Sequence, residues 1–182
     1  MGIGHDAMAA FGKALSSVHA GADKLALRKL DGPGIALLEV ASPAFHRGDP
    51  LPSWATGETP PPLTWSAPPV ETRSMAVIVE DPDAPLVNPF VHWLVWAIPP
   101  TMRDLNLESA SYFRQGRNSN LRPGYTACTP PAGHGVHHYH FQVFALDVYL
   151  DLGAGEGRRA LLEAMKGHVI ARGDVVGTNR KL

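Results

Sequence analysis

The chain has 182 residues, 45% of them hydrophobic and 18% charged, which fits one core of ordinary size and a single domain. Its 16 Lys and Arg against 17 Asp and Glu leave a formal charge of -1, so no global basic field serves nucleic acid or anionic lipid, and any anion site must be local. The one cysteine, Cys128, excludes an intrachain disulfide and argues against a Cys-based structural zinc site, and no apolar run reaches the roughly 20 residues that span a bilayer.

The first predicted element is a helix from Asp6 to about His19, in which Met8, Phe11, Leu15 and Val18 recur at helical spacing behind an Asp6 N-cap. That stripe must pack on the domain or on a neighbouring subunit, since a short isolated helix does not hold in water. Gly12, Lys13, Ser16 and Ser17 interrupt any signal-peptide core here, and the expectation is a soluble, cytoplasmic protein. Ala22 to Leu30 continues for another helical turn or two before Asp31-Gly32-Pro33-Gly34 breaks it.

From there 17 Pro and 18 Gly punctuate short apolar runs, the pattern of strands joined by turns. Strands are predicted over Ile35 to Val40, Leu63 to Trp65, Ser74 to Glu80, Val91 to Ile98, Tyr139 to Val148 and Asp174 to Thr178. In the run from Val91, simple alternation puts His92, Leu94, Trp96 and Ile98 on one face and Val91, Trp93, Val95 and Ala97 on the other. Both faces are apolar, so this strand belongs in the middle of a covered sheet. Arg158 to Arg172 reads as a helix, with Leu161, Leu162, Met165, Val169 and Ile170 in register and Gly173 as the stop.

Two segments carry candidate chemistry. Asp81-Pro82-Asp83-Ala84-Pro85 leaves one strand, and His92 on the next strand can return beside it. A carboxylate close to an imidazole favours the imidazolium, a receptor for phosphate or carboxylate, although the same pair also suits a general base. The second segment, Pro130 to Phe141, holds His134, His137, His138 and His140. Alternation sends His137 and Tyr139 one way and His138 and His140 the other, so at most two imidazoles converge, too few for a zinc site. Gly133 and Gly135 let backbone N–H groups approach an anion, or simply form a tight turn. Cys128 lacks any surrounding acyl-transfer motif and reads as an inert buried thiol; the chain has no dinucleotide or nucleotide glycine loop, and no cofactor is expected.

These segments, together with Ser42-Pro43-Ala44-Phe45, Pro61-Pro62-Leu63-Thr64-Trp65, Val91-His92-Trp93, Gly124-Tyr125, Gly167-His168-Val169-Ile170 and Val176-Gly177-Thr178, resemble the phosphatidylethanolamine-binding proteins, in particular their bacterial Raf-kinase-inhibitor-like branch of the YbhB/YbcL type. The resemblance runs from about Ile35 to Leu182, dividing the chain into a helical extension over 1–33 and a domain over 34–182. It implies a mainly β fold, a two-sheet antiparallel β-sandwich with a C-terminal helix, carrying a small anion pocket at the sheet rim. It implies as pocket residues Asp81, Asp83, Ala84, Pro85, His92, Pro131, His137 and Tyr139, beside the Gly133 and Gly135 turn. The implied ligand is phosphate, a phosphorylated group such as phosphoethanolamine, or a small carboxylate. A kinase or protease target and a homodimer are implied as partners, and a small hydrolase or lyase with a pocket histidine as base is the alternative. The resemblance also implies cis peptide bonds at Ala84-Pro85 and Asn88-Pro89. Ala127-Cys128-Thr129 departs from a Gly-Pro-Cys pattern, and Asn179 replaces an aromatic of the last strand.

Overall fold

The computed structural model describes residues 3–182, which leaves the first two residues of the expected extension outside. Helix α1 (Ile3–Ala14) is followed by a 3-10 turn and the short helix α2 (Ala26–Lys29). The strands are β1 (Ala36–Leu37), β2 (Val40–Ala41), β3 (Leu63–Trp65), β4 (Ser74–Asp81), β5 (Phe90–Ile98), β6 (Asp104–Leu105), β7 (Arg114–Gln115), β8 (Gly135–Leu146) and β9 (Val169–Lys181), with helices α3 (Leu107–Ala110) and α4 (Arg158–Met165) between them. Six strands form a sheet in the order β1-β9-β8-β4-β5-β7, and three form a second in the order β2-β3-β6. All neighbours are antiparallel except β1 on β9, where the chain returns parallel at the sheet edge.

The large sheet is covered on both faces, which is why every residue of β4 is buried. Trp93, Val95, Phe141 and Val143 pack against Leu63 and Trp65 of the small sheet, while Ile78, Leu94, Trp96 and Phe144 pack against Leu161 and Met165 of α4. The three indoles of this core each donate to a partner: Trp65 to the Met102 carbonyl, Trp93 to Gln115 and Trp96 to the Leu152 carbonyl.

Glu80, fully buried on the helix side, accepts hydrogen bonds from the Ala26 N–H and from Gln142, each at 2.8 Å, and pairs with Arg158. This network fastens α2 to the back of the sheet, because a buried carboxylate tolerates burial only when its lone pairs are met.

Several predicted boundaries shift for physical reasons. Ile3 opens α1, so Asp6 lies inside the helix and is not its N-cap. The predicted stripe is not the docking face: Met8 and Phe11 are 68% and 67% exposed, and it is Gly12 that is buried. Helix α4 stops at Met165, and Val169 and Ile170 open β9 instead, Val169 pairing with Leu146 and Ile170 being the extra residue of a bulge, since a thirteen-residue strand against β8 satisfies more backbone than another helical turn. The helix called C-terminal from the resemblance is thus followed by the last strand.

On β5, Val91 joins the α4 side while Trp93 and Ile98 join the inter-sheet side, contrary to simple alternation. Two bulges cause this. Val79 and Glu80 pair with Trp93 and Val91, leaving His92 extra, and Met75 and Val77 pair with Ile98 and Val95, with Ala97 at φ 62° in the same irregularity.

Candidate functional site

Asp81 ends β4 and turns the chain. One carboxylate oxygen accepts from the Asp83 N–H at 2.8 Å, an Asx-type turn, and the other meets His137 Nδ1 at 2.6 Å. His137 Nε2 lies 2.7 Å from His134 Nδ1, and His134 Nε2 donates to the Leu15 carbonyl at 2.8 Å. Asp81, His137 and His134 are all buried, so the row runs through the protein interior from β4 to the N-terminal segment. Asp83 turns the other way: it accepts from the backbone and ring of His138, pinning the loop to β8.

His92 is placed by the bulge. Its Nδ1 donates to the Thr126 carbonyl at 3.0 Å, and its own carbonyl accepts from the Thr126 N–H at 2.9 Å. Burial pulls the His92 pKa below the ordinary imidazole value, against the opposing pull of the Thr126 carbonyl and the Asp81 charge. The ring is therefore neutral near pH 7, with its proton on Nδ1 and a lone pair on Nε2. That Nε2 is buried without a hydrogen-bond partner, as is the Tyr139 hydroxyl, and the two rings meet edge to face at 5.2 Å. Burial and the nearby Asp81 raise the Tyr139 pKa, so the phenol stays protonated.

The expectation that Asp81 orients His92 and keeps it charged is corrected by this geometry. Asp81 is paired to His137, and the partner of His92 is a backbone carbonyl.

A cavity of about 590 Å³ opens at this rim. Of the sequence-predicted residues, Asp81, Ala84, Pro85, His92, Pro131 and His137 line it, whereas Asp83, Gly133, Gly135 and Tyr139 do not. The Gly133 N–H is spent on the Lys181 carbonyl and the His134 N–H on that of Pro131, so this turn does not offer those two donors to an anion. Sequence reasoning missed Met8, Asn120, Thr126 and Lys181 among the lining residues. It also missed His134 as the partner of His137, although an i, i+3 pair of histidines around a glycine was there to be read.

No peptide bond among the described residues is cis, so Ala84-Pro85 and Asn88-Pro89 are both trans. The loop reverses instead over the whole of residues 81–90, tightened by the Asp81 turn and by a 2.8 Å bond from the Leu86 N–H to the Ala84 carbonyl. A larger depression of about 670 Å³ borders Asn118 and Tyr125, but Asn118 is satisfied there by Gly124, Asn120 and Arg122, which leaves no unmet buried group to recognise a ligand.

Residues 41–180 match the family model described as phosphatidylethanolamine-binding protein. The chain belongs to that family. Within this phosphatidylethanolamine-binding protein family it is 40% identical to a UPF0098 protein of Pyrococcus abyssi, with 81% of this chain and 88% of the relative covered. Among solved structures, it is similar to a phosphatidylethanolamine-binding protein homologue from Chlamydia trachomatis (TM-score 0.73, 35% identity, 80% of this chain and 99% of the other covered). It is also similar to YbcL of Escherichia coli (TM-score 0.72, 28% identity, 80% and 98% covered). These relatives place it in the bacterial branch of the family, with the two-sheet fold the resemblance implied.

The departures from the family pattern have structural counterparts. Asn179 donates to the Cys128 carbonyl at 2.7 Å, tying the last strand to the pocket loop where an aromatic would only fill space. Ala127 and Thr129 line the cavity, and Thr129 also bonds the Thr56 carbonyl. Cys128 itself is buried, receives a hydrogen bond from Tyr125 at 3.1 Å and has its thiol pKa pushed up by burial, the profile of an unreactive thiol. Among the described residues no group of three or more His, Cys, Asp or Glu is arranged to hold a metal ion, and no helix is long and apolar enough to cross a membrane.

Proposed function

We propose that this protein is a binding protein whose rim cavity takes the acidic group of a small ligand: phosphate, a phosphorylated group such as phosphoethanolamine, or a small carboxylate. One observation carries the reading. His92 lines the cavity with a buried Nε2 that has no partner, beside an Asp81 whose charge is already met by His137. A buried nitrogen left unmet costs about 1–3 kcal/mol, which a ligand recovers by bringing an acidic O–H to it or, as an anion, by drawing a proton onto it. Lys181 adds a cation at the rim. The ligand-binding set is then Asp81, Ala84, Pro85, His92, Pro131 and His137, in which Asp81 lines the cavity without touching the anion because like charges repel, with Asp83, Gly133, Gly135 and Tyr139 supporting it from behind.

The same reading takes residues 34–182 as the binding domain and 1–33 as an extension docked on it. It places the protein in the cytoplasm, where its single thiol stays reduced, and gives it a kinase or protease as regulatory target. The exposed Phe11 and Val18 of the N-terminal segment favour a homodimer. A second reading has its own support: a neutral imidazole with a free Nε2 in a cavity is also what a general base needs, so a small hydrolase or lyase remains the alternative.

Calorimetry with phosphate, phosphoethanolamine and acetate tests the proposal. Binding is expected for the wild type and weakened by about tenfold or more in His92→Ala; no heat up to about 10 mM ligand refutes it. Turnover of a phosphate or carboxylate ester that disappears in the same variant would favour the second reading.

A further inference from the structure

Three hydrogen bonds in series join Asp81, His137, His134 and the Leu15 carbonyl at 2.6, 2.7 and 2.8 Å. Each needs a proton between its heavy atoms, so the row needs three. Two neutral imidazoles and a carboxylate carry two. The complete row therefore exists only when a third proton makes an imidazolium of one ring and leaves the whole neutral. Without it, one of the three links sets lone pair against lone pair and is lost.

Leu15 belongs to the N-terminal segment, which reaches the cavity by an unusual packing. Gly12 of α1 lies so close to the Ala132 carbonyl that a Cβ would collide with it, and a Cβ on Gly133 would collide with the Ala9 carbonyl. The far end of the segment is pinned separately, by bonds from the Ala20 and Gly21 N–H groups to the Ala84 and Pro82 carbonyls. Just ahead of the first attachment, Met8 lines the cavity together with the apolar Pro85, Leu86, Phe90 and Ala132.

We propose that the N-terminal helix is a wall of the ligand site, latched through His134, and that the site selects acids bearing a compact apolar substituent over the bare anion. This rests on the reading of the cavity as an acid-binding site. The acidic head sits at His92, and the substituent runs along Phe90 and Leu86 beneath Met8. His134 is a positioning residue: it touches no ligand, and it holds the wall through its bonds to His137 and to the Leu15 carbonyl. The charged and titratable groups around it are Asp81 and Asp83 from the loop after β4, His92 from β5, His137 and His138 from β8, Lys181 from β9 and His19, whose ring is 5.5 Å from that of His134.

The test uses the full chain with inorganic phosphate and n-butyl phosphate as probes, in the wild type and in Met8→Ser, Gly12→Val and His134→Phe. The wild type should prefer n-butyl phosphate by about tenfold, the worth of burying two of its four carbons. Gly12→Val, which lifts the helix by collision, and His134→Phe, which removes both bonds of the latch, should bring that preference to within about threefold while still binding inorganic phosphate. Met8→Ser should do the same with the helix still docked. Amide exchange over residues 9–16 should quicken in Gly12→Val and His134→Phe. A wild type that does not prefer the butyl ester, or a preference kept in both undocked variants, overturns the inference while leaving acid binding standing. Failure of the wild type to bind either probe sinks the underlying reading, and the wall with it. Exchange over 9–16 that is unchanged in His134→Phe overturns the latch.

Discussion

Binding of a permanently ionised anion should draw a proton from solution onto His92. In the free protein, burial holds the His92 pKa below 6.5 and the ring is neutral at pH 7, with Nε2 presenting a lone pair to the cavity. An anion placed there meets repulsion unless that nitrogen is protonated, so the competent form is the minority imidazolium. Above the free pKa this form falls tenfold per pH unit, and the measured affinity should fall by about tenfold between pH 6.5 and 7.5 with uptake of about one proton. The bond gained is charge-assisted and worth about 1.5–3 kcal/mol, so His92→Ala should weaken binding by roughly 10- to 150-fold at pH 6 and abolish the slope. Sulfate separates the sources of the proton, because it carries none itself in this range, whereas phosphate can bring its own. Titration calorimetry in buffers of different ionisation heat measures the uptake directly. Sulfate affinity that is flat from pH 5.5 to 8, with no proton uptake, would refute the placement of the anion at His92. The sign for the empty protein is opposite: a histidine with a lowered folded pKa contributes stability above pH 6.5 that is lost as pH falls from there toward its folded pKa.

Other outcomes follow from groups already described. Tyr139→Phe removes a buried hydroxyl that has no partner, so thermal or urea unfolding should show a gain of about 1 kcal/mol rather than the loss usual for a core residue. Glu80→Gln leaves Arg158 without its buried carboxylate and loosens α2; urea titration should report a loss of about 3–5 kcal/mol, and a loss under about 1 kcal/mol would refute the role of this ion pair in holding α2. Asp174 is pushed up by partial burial, but hydrogen bonds from His140 and Arg47 outweigh this and hold its pKa below the usual carboxylate range. Its contribution is present above about pH 4 and lost as pH falls through the folded pKa, so Asp174→Asn should destabilise at pH 6 and make little difference near pH 2 by thermal melting.

What could be read from the sequence was decided by how local the cause is. The strands around Ser74–Asp81 and Val91–Ile98 announce themselves through continuous apolar runs, and alternation puts His137 and Tyr139 on one face and His138 on the other, the first of which the structure buries. The bulges at His92 and Ala97 have no signature in a single strand, since they come from pairing with β4, and they reverse the faces of Val91 and Ile98. Apolar spacing likewise finds helix α1 but misjudges its docking face, because Gly12 and Ala9 approach the 132–133 turn by being small. The carboxylate–histidine pairing was misassigned for the same reason: Asp81 and His92 are neighbours in sequence terms, but β8, which arrives 56 residues after Asp81, brings His137 closer. Family resemblance carried the pocket residues over and could not carry His134, whose partner is on an extension the resemblance leaves out.

The bulge at His92 also bears on how such a site can diverge. Glu80 pairs with Val91 and Val79 with Trp93, so the β4 ladder passes over position 92. The ladder therefore places no demand on the residue there, and a side chain that fills the same buried volume and keeps a bond to the Thr126 carbonyl can replace the histidine and change the ligand while the strand pairing stays as it is. Variants at 92 should accordingly keep the amide protection pattern of β4 and β8 intact while ligand preference changes, so that specificity and foldability evolve on separate residues.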